Sequence, residues 1–273
     1  MGGLPGHIDS RLKEIELIVN KDESAATPSA FRVGIDLGTA DIVLLVVDAQ
    51  GWPLAAFLEW AEVVRDGVVL DYWGAIEVVK RLLQRAEKKL NINIKSAVTS
   101  YPPGTDPRTS KNVLIAAGLS VERIVDEPSS VAHLLNIQNG AVVDIGGGTT
   151  GVAVVQDGII SYSADEPTGG RHITLTIAGN RKLEYQEAEK LKLDESQADK
   201  LRPIISPVYQ KMSDIVLTHI ADKKVEQLYL SGGSCCFPGV EEIFKDEIEG
   251  VEIILPYNPL YLTPLAIASY SKE

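Results

Sequence analysis

The chain has 273 residues, and 45 % of them are apolar, enough for a folded core and too many for a wholly disordered protein. A formal net charge of −12 argues against a nucleic-acid backbone as partner, and no apolar run reaches the length of a membrane span. The two cysteines, Cys235 and Cys236, are adjacent, so they cannot form an ordinary strain-free disulfide; no Cys or His spacing reads as a zinc site, and the charged start lacks a signal-peptide core, which makes the cytoplasm the expected compartment.

In chain order, Ile8, Leu12, Ile15 and Val19 recur at helical spacing, and residues 23–30 are small and proline-containing. Residues 1–30 are therefore expected to be an appendage of one helix and a linker. Such a helix either packs on the body of the protein or, on a flexible tether, docks onto another protein.

Val33-Gly34-Ile35-Asp36-Leu37-Gly38-Thr39 comes next, followed by an apolar run from Ile42 to Val47 and the turn Gln50-Gly51. This is a strand, a tight glycine turn and a returning strand. A third strand is expected before Ala61, and Asp66-Gly67 reads as a turn. Residues 73–90 carry Ile76, Val79, Leu83, Ala86 and Leu90 on one helical face, with lysines in the last turn where the helix dipole favours them. A short strand at 97–99 ends in Tyr101-Pro102-Pro103-Gly104. A helix over 108–117 stops at Gly118, and a strand at 123–125 runs into Asp126-Glu127-Pro128, with the proline placed to start a helix.

The hairpin pattern then repeats. Val142-Val143-Asp144-Ile145-Gly146-Gly147-Gly148-Thr149-Thr150 leads into Val152–Val155 and the turn Asp157-Gly158. Helices are expected over 184–191 and from Pro207 to about Ile220. A third glycine segment, Leu230-Ser231-Gly232-Gly233-Ser234, follows a short strand, and Pro264 to Tyr270 reads as a final helix. Glycine lets backbone N–H groups approach an anion, threonine adds hydroxyl donors, and an aspartate can reach a hydrated cation. Duplicated strand–hairpin–helix halves, with boundaries near 31–140 and 141–273, predict an α/β architecture with a ligand cleft between two lobes.

At these residues the chain resembles the actin-like ATPase superfamily, which includes actin, the sugar kinases and the DnaK-type chaperones. Gly34–Thr39 and Asp144–Thr150 resemble its two phosphate loops, and Asp126-Glu127-Pro128-Ser129-Ser130-Val131-Ala132 its first connecting segment. Leu230–Ser234 resembles the adenosine segment, and Pro264-Leu265-Ala266-Ile267-Ala268 the second connecting helix. A closer likeness is to the chaperone-like family of bacterial ethanolamine-utilisation operons. It is carried by Asp66-Gly67, Tyr101–Arg108, Ser163–Glu166 with Thr168-Gly169-Gly170, and Gly232–Cys235 through Pro238-Gly239-Val240.

The resemblance implies a two-lobed, ribonuclease H-like fold, with the final helix (about 262–271) packing back onto the first lobe. It implies ATP or ADP with Mg²⁺ as ligands. Asp36 and Asp144 would hold Mg²⁺ through water, and Glu127 would orient an attacking water. Gly38, Thr39, Gly146, Gly147, Gly148, Thr149 and Thr150 would cradle phosphates, while Gly169, Gly170, Lys190, Gly232, Gly233 and Ser234 would border the nucleoside. It also implies ethanolamine-utilisation enzymes or shell proteins as partners, beside a bacterial microcompartment. Neither a nucleic acid nor a membrane is expected.

Several departures from the chaperone pattern bear on activity. Where the chaperones supply another hydroxyl after Gly38-Thr39, this chain has Ala40 and Asp41. Asp41 would repel phosphate if it faced inward, or be harmless if it faced away. The spans from Thr39 to Val98 and from Lys190 to Leu230 are too short for the chaperones' extra lobes, and no counterpart of their catalytic lysine is found. Binding with slow or no hydrolysis is the expectation, with an actin-like scaffold or filament protein as the alternative. A small-molecule kinase is disfavoured for want of a substrate loop, and a foldase because no peptide-binding domain follows Glu273.

Overall fold

The meander of β1 (Phe31–Leu37), β2 (Asp41–Asp48) and β3 (Pro53–Trp60) opens the body of the protein, each strand antiparallel to the next. We describe it from a computed structural model covering residues 6–61, 64–65 and 68–270. A small hairpin, β4 (Val64–Arg65) with β5 (Val68–Val69), comes next; the expected turn at Asp66-Gly67 lies outside the described residues. Helix α2 (Tyr72–Leu90) follows, then β6 (Ser96–Tyr101), α3 (Arg108–Ala116), β7 (Ser120–Asp126) and α4 (Glu127–Leu134). The first sheet has the order β3-β2-β1-β6-β7, with β6 and β7 parallel to β1.

The second half repeats the plan. Strands β8 (Gly140–Ile145), β9 (Thr150–Gln156) and β10 (Ile159–Glu166) form the meander, and helices α5 (Gly170–Arg181), α6 (Tyr185–Leu193) and α7 (Ala198–Ile220) follow. Strand β11 (Gln227–Ser231), α8 (Val240–Glu247), β12 (Glu252–Ile254) and α9 (Leu262–Ser269) complete it. The sheet order β10-β9-β8-β11-β12 is that of the first sheet with each strand replaced by its counterpart. Two α/β lobes of one topology, without large inserted lobes, are the architecture that the sequence pattern predicts.

Local chemistry sets the element ends. Asp71 caps α2 by accepting from the Gly74 N–H at 2.8 Å, and Asn91 closes it in the left-handed conformation. Helix α7 departs from expectation by starting at Ala198 and running through Pro203 and Pro207. Proline interrupts the helical hydrogen-bond ladder, which is why the sequence reads as a start at Pro207. Leu201, Ile205, Tyr209, Met212 and Val216 present one buried face to the second sheet, and that burial outweighs the lost backbone bonds.

A third layer joins the lobes. Helices α4 and α9 pack on each other, and α9 lies on β1 so closely that a Cβ at Gly34 would stand 2.5 Å from the Ala268 nitrogen. Helix α1 (Gly6–Ile18) is docked, not free: Ile8, Leu12 and Ile15 are fully buried against β2 and β3. Its outer side reaches the second lobe, where Asp9 Oδ1 accepts from the Tyr257 N–H at 3.1 Å and Glu16 accepts from Asn258 Nδ2 at 3.1 Å. The apolar stripe that could have served as a docking peptide is spent inside the molecule.

Candidate functional site

Parallel pairing of β6 with β1 sets Thr99 beside Ile35, which brings Ser100 next to Asp36 at the strand ends. Pairing of β11 with β8 sets Ser231 beside Asp144. Each acidic strand tip therefore meets a serine from the neighbouring parallel strand. Ser100 Oγ donates to Asp36 Oδ1 at 2.6 Å, and Thr263, from α9, donates to Asp144 Oδ2 while lying 2.9 Å from Ser231 Oγ.

Both aspartates open onto one cavity of about 280 Å³ between the lobes. Gly38, Thr39, Glu127, Gly146, Gly147, Thr149, Gly232, Gly233 and Ser234 line it with them. The two glycine turns touch: a Cβ on Gly147 would be 2.9 Å from the Ala40 Cβ. Among the described residues, no intramolecular hydrogen bond uses the N–H groups of Gly38, Thr39, Gly147 or Gly148, so both turns keep donors in hand for an anion.

Other predicted residues stand behind this lining. Thr150 Oγ1 donates to the Thr168 carbonyl at 2.6 Å. Gly169 backs the second turn so tightly that a Cβ would sit 2.7 Å from the Gly148 carbonyl carbon, and a Cβ on Gly170 would sit 2.5 Å from Ser234 Oγ. Gly148 is buried and is not among the residues that line the cavity. Lys190 does not reach the lining. Lys192 does, because it stands one helical turn beyond the buried Ala188, whereas Lys190 is two residues on and points elsewhere. Lys192 Nζ lies 2.8 Å from Glu189 and 3.0 Å from Thr174 Oγ1. Among the described residues it is the one cationic side chain in the lining.

Glu127 is placed by its helix. Asp126 caps α4, accepting from the Ser129 N–H at 2.9 Å, and its other oxygen accepts from Ser163 Oγ of β10 at 2.5 Å, which ties the helix start to the second lobe. Pro128 occupies the first turn.

Acid dominates the cleft. Burial pushes the Asp36 carboxyl up to about 6, the Ser100 hydrogen bond opposes the rise, and Asp144 adds to it. Asp144 is raised by burial against the pull of Thr263 and Ser231. Glu127 is raised well above its ordinary range by burial and by Asp36 and Asp144. Asp41, whose facing the sequence leaves open, and Asp165, which sequence reasoning did not assign to the site, add to the charge. Asp41 lines the cavity and is pushed to about 7 by burial, Asp36 and Asp144. Asp165, on β10, rises to about 7 by burial despite a hydrogen bond from Thr149, and its Oδ1 is buried without a partner.

These residues fit a hydrated divalent cation shared with phosphates. Two opposed carboxylates face one space, and the surplus negative charge would fall when a cation enters. Among the described residues no group of three or more His, Cys, Asp or Glu side chains is placed to hold a metal ion.

Comparison with known proteins agrees with this architecture. The family described as cell division protein FtsA matches residues 141–266. The ethanolamine utilization protein EutJ of Escherichia coli (strain K12) is 50% identical over 249 residues, covering 91% of this chain and 89% of that protein. The crystal structure of EutJ from Carboxydothermus hydrogenoformans superposes with a TM-score of 0.91 at 40% identity, covering 96% of this chain and 98% of that one. MreB5 of Spiroplasma citri bound to AMPPNP, at 17% identity and a TM-score of 0.71 over 88% of this chain and 95% of its own, shares the fold.

Proposed function

The chain belongs to the EutJ family of ethanolamine utilization proteins, and from that membership and the cleft we propose that it binds ATP and ADP as magnesium complexes and acts as a chaperone-like assistant in ethanolamine utilisation. The observation that carries the reading is the pair Asp36 and Asp144, brought from two copies of one hairpin to face a single cavity floored by glycine turns. Mg²⁺ bound there would neutralise phosphate charge. Asp36 and Asp144 would orient its waters, and the amides of Gly38, Thr39, Gly147 and Gly148 would hold the phosphates.

Glu127, which lines the same cavity, would orient an attacking water on the terminal phosphate. Burial and the neighbouring acids favour its protonated form, which cannot accept a proton, and among the described residues the one lysine of the lining is paired with Glu189 rather than free for a transferring phosphoryl group. The protein is thus read as a nucleotide-dependent switch with slow turnover. Its clients are ethanolamine-utilisation enzymes or shell proteins, in the cytoplasm and beside a microcompartment, where it assists assembly or reactivation. Among the described residues no helix is long and apolar enough to cross a membrane.

Calorimetric titration tests the reading. Asp144→Ala should weaken Mg-ATP binding at least about tenfold, or 1.4 kcal/mol. Unchanged affinity would remove the central support. ATP-dependent rescue of an inactivated ethanolamine-utilisation enzyme would establish the chaperone role, whereas nucleotide-dependent sedimentation without rescue would move the protein to the filament class.

A further inference from the structure

We propose that Asp41 is a specificity-determining residue of the cleft, one that turns away a bare nucleotide and admits it only as a divalent-cation complex. The inference rests on the nucleotide reading above and deepens it.

Asp41 is the first residue of β2 and directly follows the first glycine turn. Its side chain folds back over that turn: Oδ1 lies 3.3 Å from the point where a Cβ on Gly38 would stand, and its carbonyl oxygen 2.9 Å from it. The carboxylate thus lies against the amides that would receive phosphate. Asp36 and Asp144 oppose its ionisation, and it in turn opposes that of the Cys236 thiol, which lines the same cavity, and of the Tyr261 hydroxyl. It therefore faces inward.

Nothing nearby offsets that charge. Among the described residues the Asp41 carboxylate accepts no hydrogen bond, and Lys192, the cation on this wall, is committed to Glu189. Burial without a cation leaves the Asp41 proton affinity high, at about 7. Polyphosphate arriving alone would meet Asp36, Asp41 and Asp144 together. Accompanied by a divalent cation, it would bring the charge that all three lack, so the same side chain that repels the free anion favours the complex.

The test is calorimetric titration of the full chain and of Asp41→Asn with ATP, once in EDTA and once with excess Mg²⁺. The neutral isostere should tighten metal-free ATP at least about tenfold and Mg-ATP by less than about threefold, which narrows the metal dependence. Asp41→Ser should behave likewise, guarding against an effect peculiar to the amide, and circular dichroism would verify that both variants are folded. Glu249→Gln, which removes one charge at an exposed position in the turn after α8, should leave both affinities within about twofold. Equal gains with and without metal, or no gain, would overturn the role of Asp41 while nucleotide binding stood. If wild type and variants alike bound neither ATP nor ADP, the nucleotide reading itself would fall, and this inference with it.

Discussion

The two lobes build the same hairpin but support it differently. In the second lobe the glycine turn is braced from behind: Gly170 N–H donates to the Gly146 carbonyl at 2.9 Å, Arg171 N–H to the Gly147 carbonyl at 2.7 Å, and Ser234 Oγ to the Gly146 carbonyl at 2.8 Å. The first turn has a lighter attachment, Ala61 N–H to the Ala40 carbonyl at 3.0 Å, and carries Asp41 in place of a brace. Both lobes thus bring acid to the cleft, while the second alone braces its turn with hydrogen bonds from the helix and segment behind it. A shared topology does not impose a shared task. What differs is the residue that follows each aspartate's serine partner and the element that stands behind each turn.

The sharpest way to break that contrast is to add one methyl group to the cradle. Gly232 follows Ser231 with φ at +90°, and a Cβ there would stand 2.4 Å from the Ile145 carbonyl oxygen and 2.5 Å from Asp144 Oδ1. Gly232→Ala combines backbone strain with overpacking and should cost about 3 kcal/mol or more. Tyr101 holds the equivalent place after Ser100 and is half-buried. Tyr101→Ala should cost on the order of 1 kcal/mol. Urea unfolding compares them, and equal losses would show that the lobes are not differently braced.

Acid titration probes one carboxylate from each lobe. Asp41 and Asp165 both have folded values raised to about 7 from an ordinary value of 3.8. The folded protein then holds protons that the unfolded chain has released. Stability is therefore highest below about pH 4 as far as these groups are concerned, and it is lost as pH climbs towards 7. Without nucleotide or metal, the melting temperature should fall between pH 5 and pH 8, and Asp41→Asn and Asp165→Asn should each flatten that fall. The expected recovery at pH 8 is on the order of 1–3 kcal/mol per substitution. A wild-type protein that grows more stable over the same interval would contradict the unneutralised cleft, and saturating Mg-ADP should remove most of the pH dependence.

How much of this was legible in the sequence follows from the range of each signal. Asp36 and Asp144 were readable because a strand, a glycine turn and a returning strand are all local, and so was the duplicated α/β plan. Their hydroxyl partners were not. Ser100 reaches Asp36 through strand register, and Thr263 reaches Asp144 from a helix 119 residues later in the chain. Lys190 and Lys192 differ only in helical phase, which a boundary error of two residues is enough to hide. The inward turn of Asp41 depends on which face of β2 meets the cleft, and both faces of that strand are buried, so alternation gave no guide. Proline statistics misplaced the start of α7 because tertiary burial overrode a local rule.

The smallest effect expected concerns those hydroxyls, and it turns on redundancy. Asp36 receives its side-chain hydrogen bond from Ser100 alone among the described residues, whereas Asp144 is served by Thr263 and, with it, Ser231. A hydroxyl bonded to a carboxylate favours the ionised form and fixes its rotamer, so losing it should loosen the acid's hold on a hydrated cation. Ser100→Ala should weaken Mg-ATP binding about tenfold, close to 1.4 kcal/mol. Thr263→Val keeps the shape of the side chain and leaves Ser231 in place, so about threefold is expected, and the Ser231→Ala, Thr263→Val double variant should lose as much as Ser100→Ala. Titration with Mg-ATP and Mg-ADP gives all four values. A single Thr263→Val that outweighs Ser100→Ala would mean that Ser231 does not share the load, and that the second lobe's aspartate is held as singly as the first.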